Sequence, residues 1–205
     1  MGRHITCQGV AVSDVHIQSF LDWPRLNNVE ELQKFLGFMN HHQEFILDLS
    51  KRAAPLLTRK EAPYNWDESC ESAFAALKTT MTSPPFLSFP NSSDPFVLDT
   101  DASDFALGAC LYQMREGREH LVSYCSIILT LARLKYCTTR KELLTRQYRH
   151  YLLGSIFTVR TDHHSLAWLC GFKDCSGQLG RWLEELSQYN LTIQHRPGTK
   201  NLNGK

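Results

Sequence analysis

Hydrophobic periodicity changes once along this chain, at Ser83-Pro84-Pro85, and that change limits what the chain can fold into. Upstream, apolar residues recur every three or four positions, the period of a helix face. Downstream they form short runs rich in β-branched and aromatic residues, separated by Gly, Ser and charged turns. One repeating architecture cannot satisfy both patterns, so two units are expected: residues 1–84, mainly helical, and 85–205, α/β, with the boundary between Pro84 and Pro95. The 205 residues suffice for two small units, and a 42% hydrophobic fraction supplies each with a core.

Residues 1–26 read as a strand-and-turn lead-in (His4-Ile5-Thr6, then Gly9) running to Trp23-Pro24. Asn28 is expected to cap a helix, with Glu31 completing a capping box. Val29, Leu32, Phe35, Leu36 and Met39 share its apolar face. A second short helix is predicted over 42–49, limited by Pro55, and residues 60–63 read as a loop. Asp67 is a natural cap for the next helix, whose first turn carries Glu68 and Glu71 where negative charge meets the positive helix end. Its buried stripe is Ala73, Phe74, Leu77 and Met81, and the two prolines stop it.

Beyond the boundary, 95–100, 107–112 and 121–125 are expected to form three consecutive strands, antiparallel because their connections are short. A helix follows over 139–153, ended by Gly154. A fourth strand (157–161), a helix (179–186) and a fifth strand (191–195) complete an α/β unit with a mixed sheet.

Three carboxylates stand where such a sheet would gather them. Asp101 closes the first strand in Asp99-Thr100-Asp101-Ala102-Ser103, Glu142 lies early in the long helix, and Asp162 closes the fourth strand in Arg160-Thr161-Asp162-His163. If the first and fourth strands are neighbours, Asp101 and Asp162 project side by side and the helix can lay Glu142 over them. Clustered carboxylates call for a cation, and hard oxygen donors favour magnesium or manganese. Two such ions about 3.5–4 Å apart stabilise both the attacking and the leaving oxygen of a phosphodiester. Taken singly, each acid is also what a solvated strand end or helix start carries. Arg133, Lys135, Arg140, Lys141, Arg146 and Arg149 crowd a stretch in which Glu142 is the only acid. That suits a phosphate-facing surface, and a solvated helix face equally. His163, His164, Cys170 and Cys175 fit no common structural zinc spacing. No Gly-x-Ser-x-Gly turn and no Gly-rich phosphate loop is present.

The text around these acids resembles the pol proteins of gypsy-type LTR retrotransposons. Val97-Leu98-Asp99-Thr100-Asp101-Ala102-Ser103-Asp104, Cys137-Thr138-Thr139-Arg140-Lys141-Glu142-Leu143-Leu144 and Arg149-His150-Tyr151-Leu152-Leu153-Gly154 look like that family's RNase H domain. So do Phe157-Thr158-Val159-Arg160-Thr161-Asp162-His163, Arg181-Trp182-Leu183-Glu184-Glu185-Leu186 and His195-Arg196-Pro197-Gly198. Upstream, Glu31-Leu32-Gln33-Lys34-Phe35-Leu36-Gly37, Phe45-Ile46, the stretch from Lys51 to Pro55, and Asn65-Trp66 through Ala73-Phe74 resemble the segment after the polymerase palm. The resemblance implies an RNase H-like five-stranded mixed sheet with flanking helices, preceded by a small helical thumb or connection segment of a reverse transcriptase. It also implies Asp101, Glu142 and Asp162 as ligands of Mg2+ or Mn2+. The implied activity is cleavage of the RNA strand of an RNA–DNA hybrid, read through backbone shape and the 2′-hydroxyl. The implied partners are that hybrid and the remainder of a pol polyprotein.

The sequence departs from that family's pattern in places. No adjacent Asp pair occurs, so DNA synthesis by this chain alone is not expected. The family's closing Ala-Asp-Ala-Leu-Ser-Arg, whose Asp is a fourth ligand, is replaced by Asn201-Leu202-Asn203-Gly204-Lys205, which reads as a truncated end with Lys205 near that ligand's place. Between Leu144 and Thr145 about five residues are missing, which takes roughly 7.5 Å and about 140° out of a helix. Ile127-Ile128 adds exposed apolar surface. Two readings follow: a metal-dependent endoribonuclease, or an inactive remnant that binds nucleic acid or protein. Seven cysteines without paired short spacings, no signal segment and no membrane-length apolar run lead to an expected intracellular location, cytoplasmic or nuclear. A net charge of +1 does not by itself announce a nucleic-acid binder.

Overall fold

The computed structural model describes residues 2–57, 64–103, 106–128, 147–161 and 187–195. The first unit opens with a β-ribbon, β1 (Arg3–Ile5) antiparallel to β2 (Gly9–Val12). Instead of an extended lead-in to Trp23-Pro24, the chain then forms helix α1 (Asp14–Leu21), opened by an extended Ser13 that makes no side-chain cap bond. Helix α2 (Val29–His41) starts at Asn28, whose side chain accepts from the Glu31 amide at 2.9 Å. The Glu31 carboxylate reaches past the cap and accepts from the Asn27 amide at 2.8 Å. Leu32, Phe35, Leu36 and Met39 are all buried, on the face that the spacing marked out.

The helix expected over 42–49 is interrupted. One 3-10 turn (Gln43–Phe45) gives way to extended backbone at Ile46 and a left-handed Asp48 (φ 54°), before α3 (Leu49–Arg52) and α4 (Ala54–Leu57). The break lets Phe45 and Ile46 enter the first core while Leu47 packs against the second unit's sheet. Helix α5 (Glu68–Thr80) begins at Asp67, whose carboxylate accepts from the Cys70 amide at 2.9 Å. Its Ala73, Phe74 and Leu77 are buried, as is Met81 just past its end. The loop expected at 60–63 lies outside the described residues. Strand β3 (Leu87–Ser88) returns to pair with β2, and Leu87 is the last residue of the first core.

The second unit is α/β. Strands β4 (Phe96–Ala102), β5 (Ala106–Arg115), β6 (Arg118–Ile128), β7 (Ile156–Thr161) and β8 (Asn190–His195) form a five-stranded sheet in the order β6-β5-β4-β7-β8. The first three pair antiparallel and β4–β7–β8 parallel. The β5–β6 hairpin is longer than the apolar runs suggested because a two-residue turn closes it, with positive φ at both Glu116 (50°) and Gly117 (74°). That conformation matches the twist of the flanking strands. Gln113, fully buried, pins the preceding loop by bonding Asn91 and Asp94 backbone groups. Of the helix expected over 139–153, the described part is α6 (Arg149–Leu152); the helix expected over 179–186 lies outside the described residues. Flanking α6, Tyr148 is 2% exposed and donates to the Ser123 carbonyl at 3.2 Å, tying this segment to β6. Among the described residues no helix is long and apolar enough to cross a membrane.

Candidate functional site

Side-chain alternation gives the sheet two unlike faces. Phe96 and Leu98 of β4 join Leu107, Ala109, Leu111, Leu152 and Phe157 in a dry core. Val97 points the other way, to Cys110, Tyr112 and Leu47, and with it stand Asp99 and Asp101. Asp101 pairs with Gly108 across the β4–β5 ladder. Beside β4 runs β7, in parallel, with Asp99 opposite Arg160 and Thr100 opposite Thr161. The first and fourth strands of the sheet unit are therefore neighbours. Thr161 is the last described residue of β7, and Asp162 is next in the chain. Of the three candidate acids, Asp101 is described; Glu142 and Asp162 lie outside the described residues. So do Arg133, Lys135, Arg140, Lys141 and Arg146, while Arg149 is exposed at the first residue of α6.

Sequence reasoning missed Asp48. It arrives from the first unit, and a small cavity of about 10 Å³ is lined by Asp48, Lys51, Asp101, Ser103, Gly108 and Ser126. Ser50, buried, donates its amide to Ser126 Oγ at 2.9 Å, which anchors the start of α3 against β6. A Cβ added to Gly108 would stand 2.4 Å from Asp48 Oδ1, so any larger residue here must push that carboxylate aside. Burial, and then the Asp101 charge, raise the Asp48 pKa above the ordinary carboxylate value, with Lys51 and Arg52 opposing. No local signal marks this residue. Its left-handed backbone is one that Asp tolerates better than most residues, which permits the contact without predicting it.

Two residues before Asp101, Asp99 receives both a close bond from Arg160 Nε and a 2.8 Å bond from an Arg160 terminal nitrogen; the other terminal nitrogen reaches Glu119 at 2.6 Å. Burial works against the Arg160 charge, but the bonds to Asp99 and Glu119 outweigh it and raise the guanidinium pKa. On the same face, burial pushes the Cys110 thiol up to about 12, so no thiolate nucleophile is available there at neutral pH.

Among the described residues no group of three or more His, Cys, Asp or Glu is arranged to hold a metal ion. The described part of the site offers carboxylate and hydroxyl oxygens, with two acids close enough to repel one another and the Lys51 ammonium beside them offsetting part of that charge. Such a donor set fits a hard divalent cation and not a soft one.

Residues 91–189 match the family described as the RNase H-like domain found in reverse transcriptase. Over 98% of its length the chain is 32% identical to a retrovirus-related Pol polyprotein from transposon opus of Drosophila melanogaster, covering 22% of that protein. It is 31% identical to the corresponding polyprotein from Drosophila transposon 412, covering 17%. It is 32% identical to the transposon Tf2-3 polyprotein of Schizosaccharomyces pombe, covering 16%. The chain thus spans about a fifth of the length of these relatives. In three dimensions it is similar to a foamy viral protease-reverse transcriptase solved with an RNA/DNA hybrid (TM-score 0.76, 19% identity, 98% of this chain and 30% of that one). It is also similar to a dRH form solved with double-stranded DNA (TM-score 0.77, 18% identity, 96% and 37%). At this identity the likeness is one of fold.

Proposed function

We propose that the chain is a metal-dependent endoribonuclease acting on RNA–DNA hybrids, because residues 91–189 match the RNase H-like domain found in reverse transcriptase and nearly the whole chain is similar to retrotransposon Pol polyproteins. The observation that carries this reading is the parallel pairing of β4 with β7. It sets Asp101 near the end of one strand and ends, on the other, at the residue before Asp162. Residues 1–84, with β3 (Leu87–Ser88) added to the same sheet and core, would be the end of a reverse-transcriptase connection, and the five-stranded unit after them the nuclease. Asp101, with Glu142 and Asp162 in support, would hold Mg2+ or Mn2+. When bound, the metal lowers the pKa of a water and neutralises charge developing on the phosphodiester.

The chain's own residues have separate tasks in this reading. Asp101 offers oxygen donors at the end of a rigid strand, so its carboxylate needs little reordering. Buried neighbours on the opposite sheet face hold that strand. Arg149, with Arg133, Lys135, Arg140, Lys141 and Arg146, would meet phosphates and set affinity without selecting sequence. The hybrid would be recognised by its shape and its 2′-hydroxyls.

The test is cleavage of a labelled RNA–DNA hybrid by purified chain in Mg2+ or Mn2+. Cleavage is expected, and Asp101→Asn is expected to abolish it without lowering the urea midpoint, since the change also relieves the repulsion between Asp101 and Asp48. A folded, monodisperse wild-type sample that cleaves nothing in either metal would sink the enzymatic reading in favour of a binding module.

A further inference from the structure

We propose that the Asp99–Arg160 ion pair is a positioning device, selecting the β4–β7 register at which Asp101 and Asp162 can serve one site. The proposal rests on the nuclease reading above and names residues that act on it without touching substrate.

The argument begins with what apolar patterning can and cannot fix. Phe96 and Leu98 on β4, and Phe157 and Val159 on β7, all face the same core. A slip of one residue would turn an entire strand inside out, so burial forbids it. A slip of two residues restores the same faces, and burial alone rejects it only weakly. Yet it would carry β7 along β4 by roughly 6.6 Å, at about 3.3 Å per residue. That exceeds the separation of about 3.5–4 Å between the metal ions of a two-metal site. A site that needs an acid from each strand cannot survive such a displacement.

The paired side chains supply the missing discrimination. Asp99 and Arg160 are opposite one another in the ladder. Both carboxylate oxygens are engaged by the guanidinium, and the side chains are only 17% and 18% exposed. A two-pronged contact between planar groups tolerates little sliding. Slipping by two would set Arg160 opposite either Val97 or Asp101; both leave the largely buried Asp99 without its arginine, and the second would tie up the acid that the site itself needs. Glu119 holds the guanidinium from a third strand, so the arginine cannot follow a sliding β7. The pair also sorts the acids of Asp99-Thr100-Asp101: Asp99 spends its oxygens on Arg160, while Asp101 faces the small cavity.

The test uses the full chain with Arg160→Met, Asp99→Asn, Glu119→Gln and the conservative Asp99→Glu. Mn2+ affinity is read by electron paramagnetic resonance of the free ion, half-saturating Mg2+ is read from hybrid cleavage, and folding is read from urea midpoints. Arg160→Met and Asp99→Asn are expected to weaken Mn2+ binding about tenfold or more, the scale of losing a partner that orients a metal ligand. The Mg2+ requirement should rise in parallel. Asp99→Glu should recover most of the affinity, and Glu119→Gln, which leaves the main pair standing, should cost only a few-fold. Unchanged Mn2+ affinity in both Arg160→Met and Asp99→Asn overturns the proposal while leaving the nuclease reading intact. So does a loss of affinity no larger than the loss of folded protein. Should Arg160→Met fail to fold, Asp99→Asn decides the matter by the same measurements, with Asp99→Glu as its conservative control. A wild-type chain that neither binds Mn2+ nor cleaves overturns the nuclease reading and this inference with it.

Discussion

The two faces of the five-stranded sheet are made by alternate residues of the same strands, yet they do different work. One face is dry: Phe96, Leu98, Leu107, Leu111, Leu152 and Phe157 are buried against one another. The other carries Asp99, Asp101 and Arg160, with a smaller apolar group around Val97, Cys110 and Tyr112. It is partly covered by residues of the first unit, Leu47 and Asp48 among them. The lesson is that stability and the candidate chemistry are separable by one residue of strand register. Changes on the first face should move folding, and changes on the second should move metal binding and inter-unit docking.

The largest expected effect breaks the dry face. Phe157 is 1% exposed on a central strand, and Phe157→Ala should cost about 3–5 kcal/mol. Against a typical domain stability of about 5–15 kcal/mol, that loss will show in a urea titration followed by circular dichroism. A change below about 1 kcal/mol would mean that this face is not the principal support of the sheet.

Legibility from sequence follows the same division between local and distant causes. The Asn28 and Asp67 caps were readable because each acts on an amide three residues away. The five strands were readable because apolar runs bounded by turn residues mark each of them, whereas the nearness of β4 to β7 stood only as a condition of the site, which the parallel ladder meets. Helix α1 was not, because Ser13 makes no side-chain cap bond and the downstream Trp23-Pro24 suggested an extended chain. Strand β3 was not, because its partners Gly9 and Val10 lie far away in sequence. Asp101 could be nominated from its motif. Asp48 could not, since its meaning depends on a docking contact between units and on an unobstructed Gly108.

That docking contact gives the next effect in size. In Gly108→Ala the new methyl must displace the Asp48 carboxylate, which stands 2.4 Å from its position. Overpacking of this kind typically costs about 1–3 kcal/mol. The expected result is a moderate fall in the urea midpoint, with faster limited proteolysis around residues 46–53. Pairing Gly108→Ala with Asp48→Ala should recover much of the loss, because the second change removes the obstructing carboxylate. Full additivity of the two single losses would show that the residues do not meet.

The smallest effect is also the most discriminating, because the half-buried Asp48 and the buried His42 respond to pH with opposite sign. Asp48 has a raised pKa, so it favours the folded state most when protonated. Its contribution is present below the unfolded value near 3.8 and is lost as pH rises through the folded pKa. His42 lies wholly within the first unit, fully buried beside His16 at 3.1 Å. Burial first, then the positive charges of His41, His16 and Arg3, depress it from 6.5 to about 4. The neutral ring therefore supports folding fully above pH 6.5, and that support falls away as pH drops toward about 4. Asp48→Asn should flatten the rise in stability toward acid that belongs to the inter-unit contact, and should slightly stabilise the chain at neutral pH. His42→Gln should flatten the acid-side loss instead and leave the Asp48 response in place. Midpoints measured at half-unit steps from pH 4 to 7.5 separate the two. If Asp48→Asn leaves the profile unchanged, the carboxylate is solvated and the second face is not sealed by the first unit.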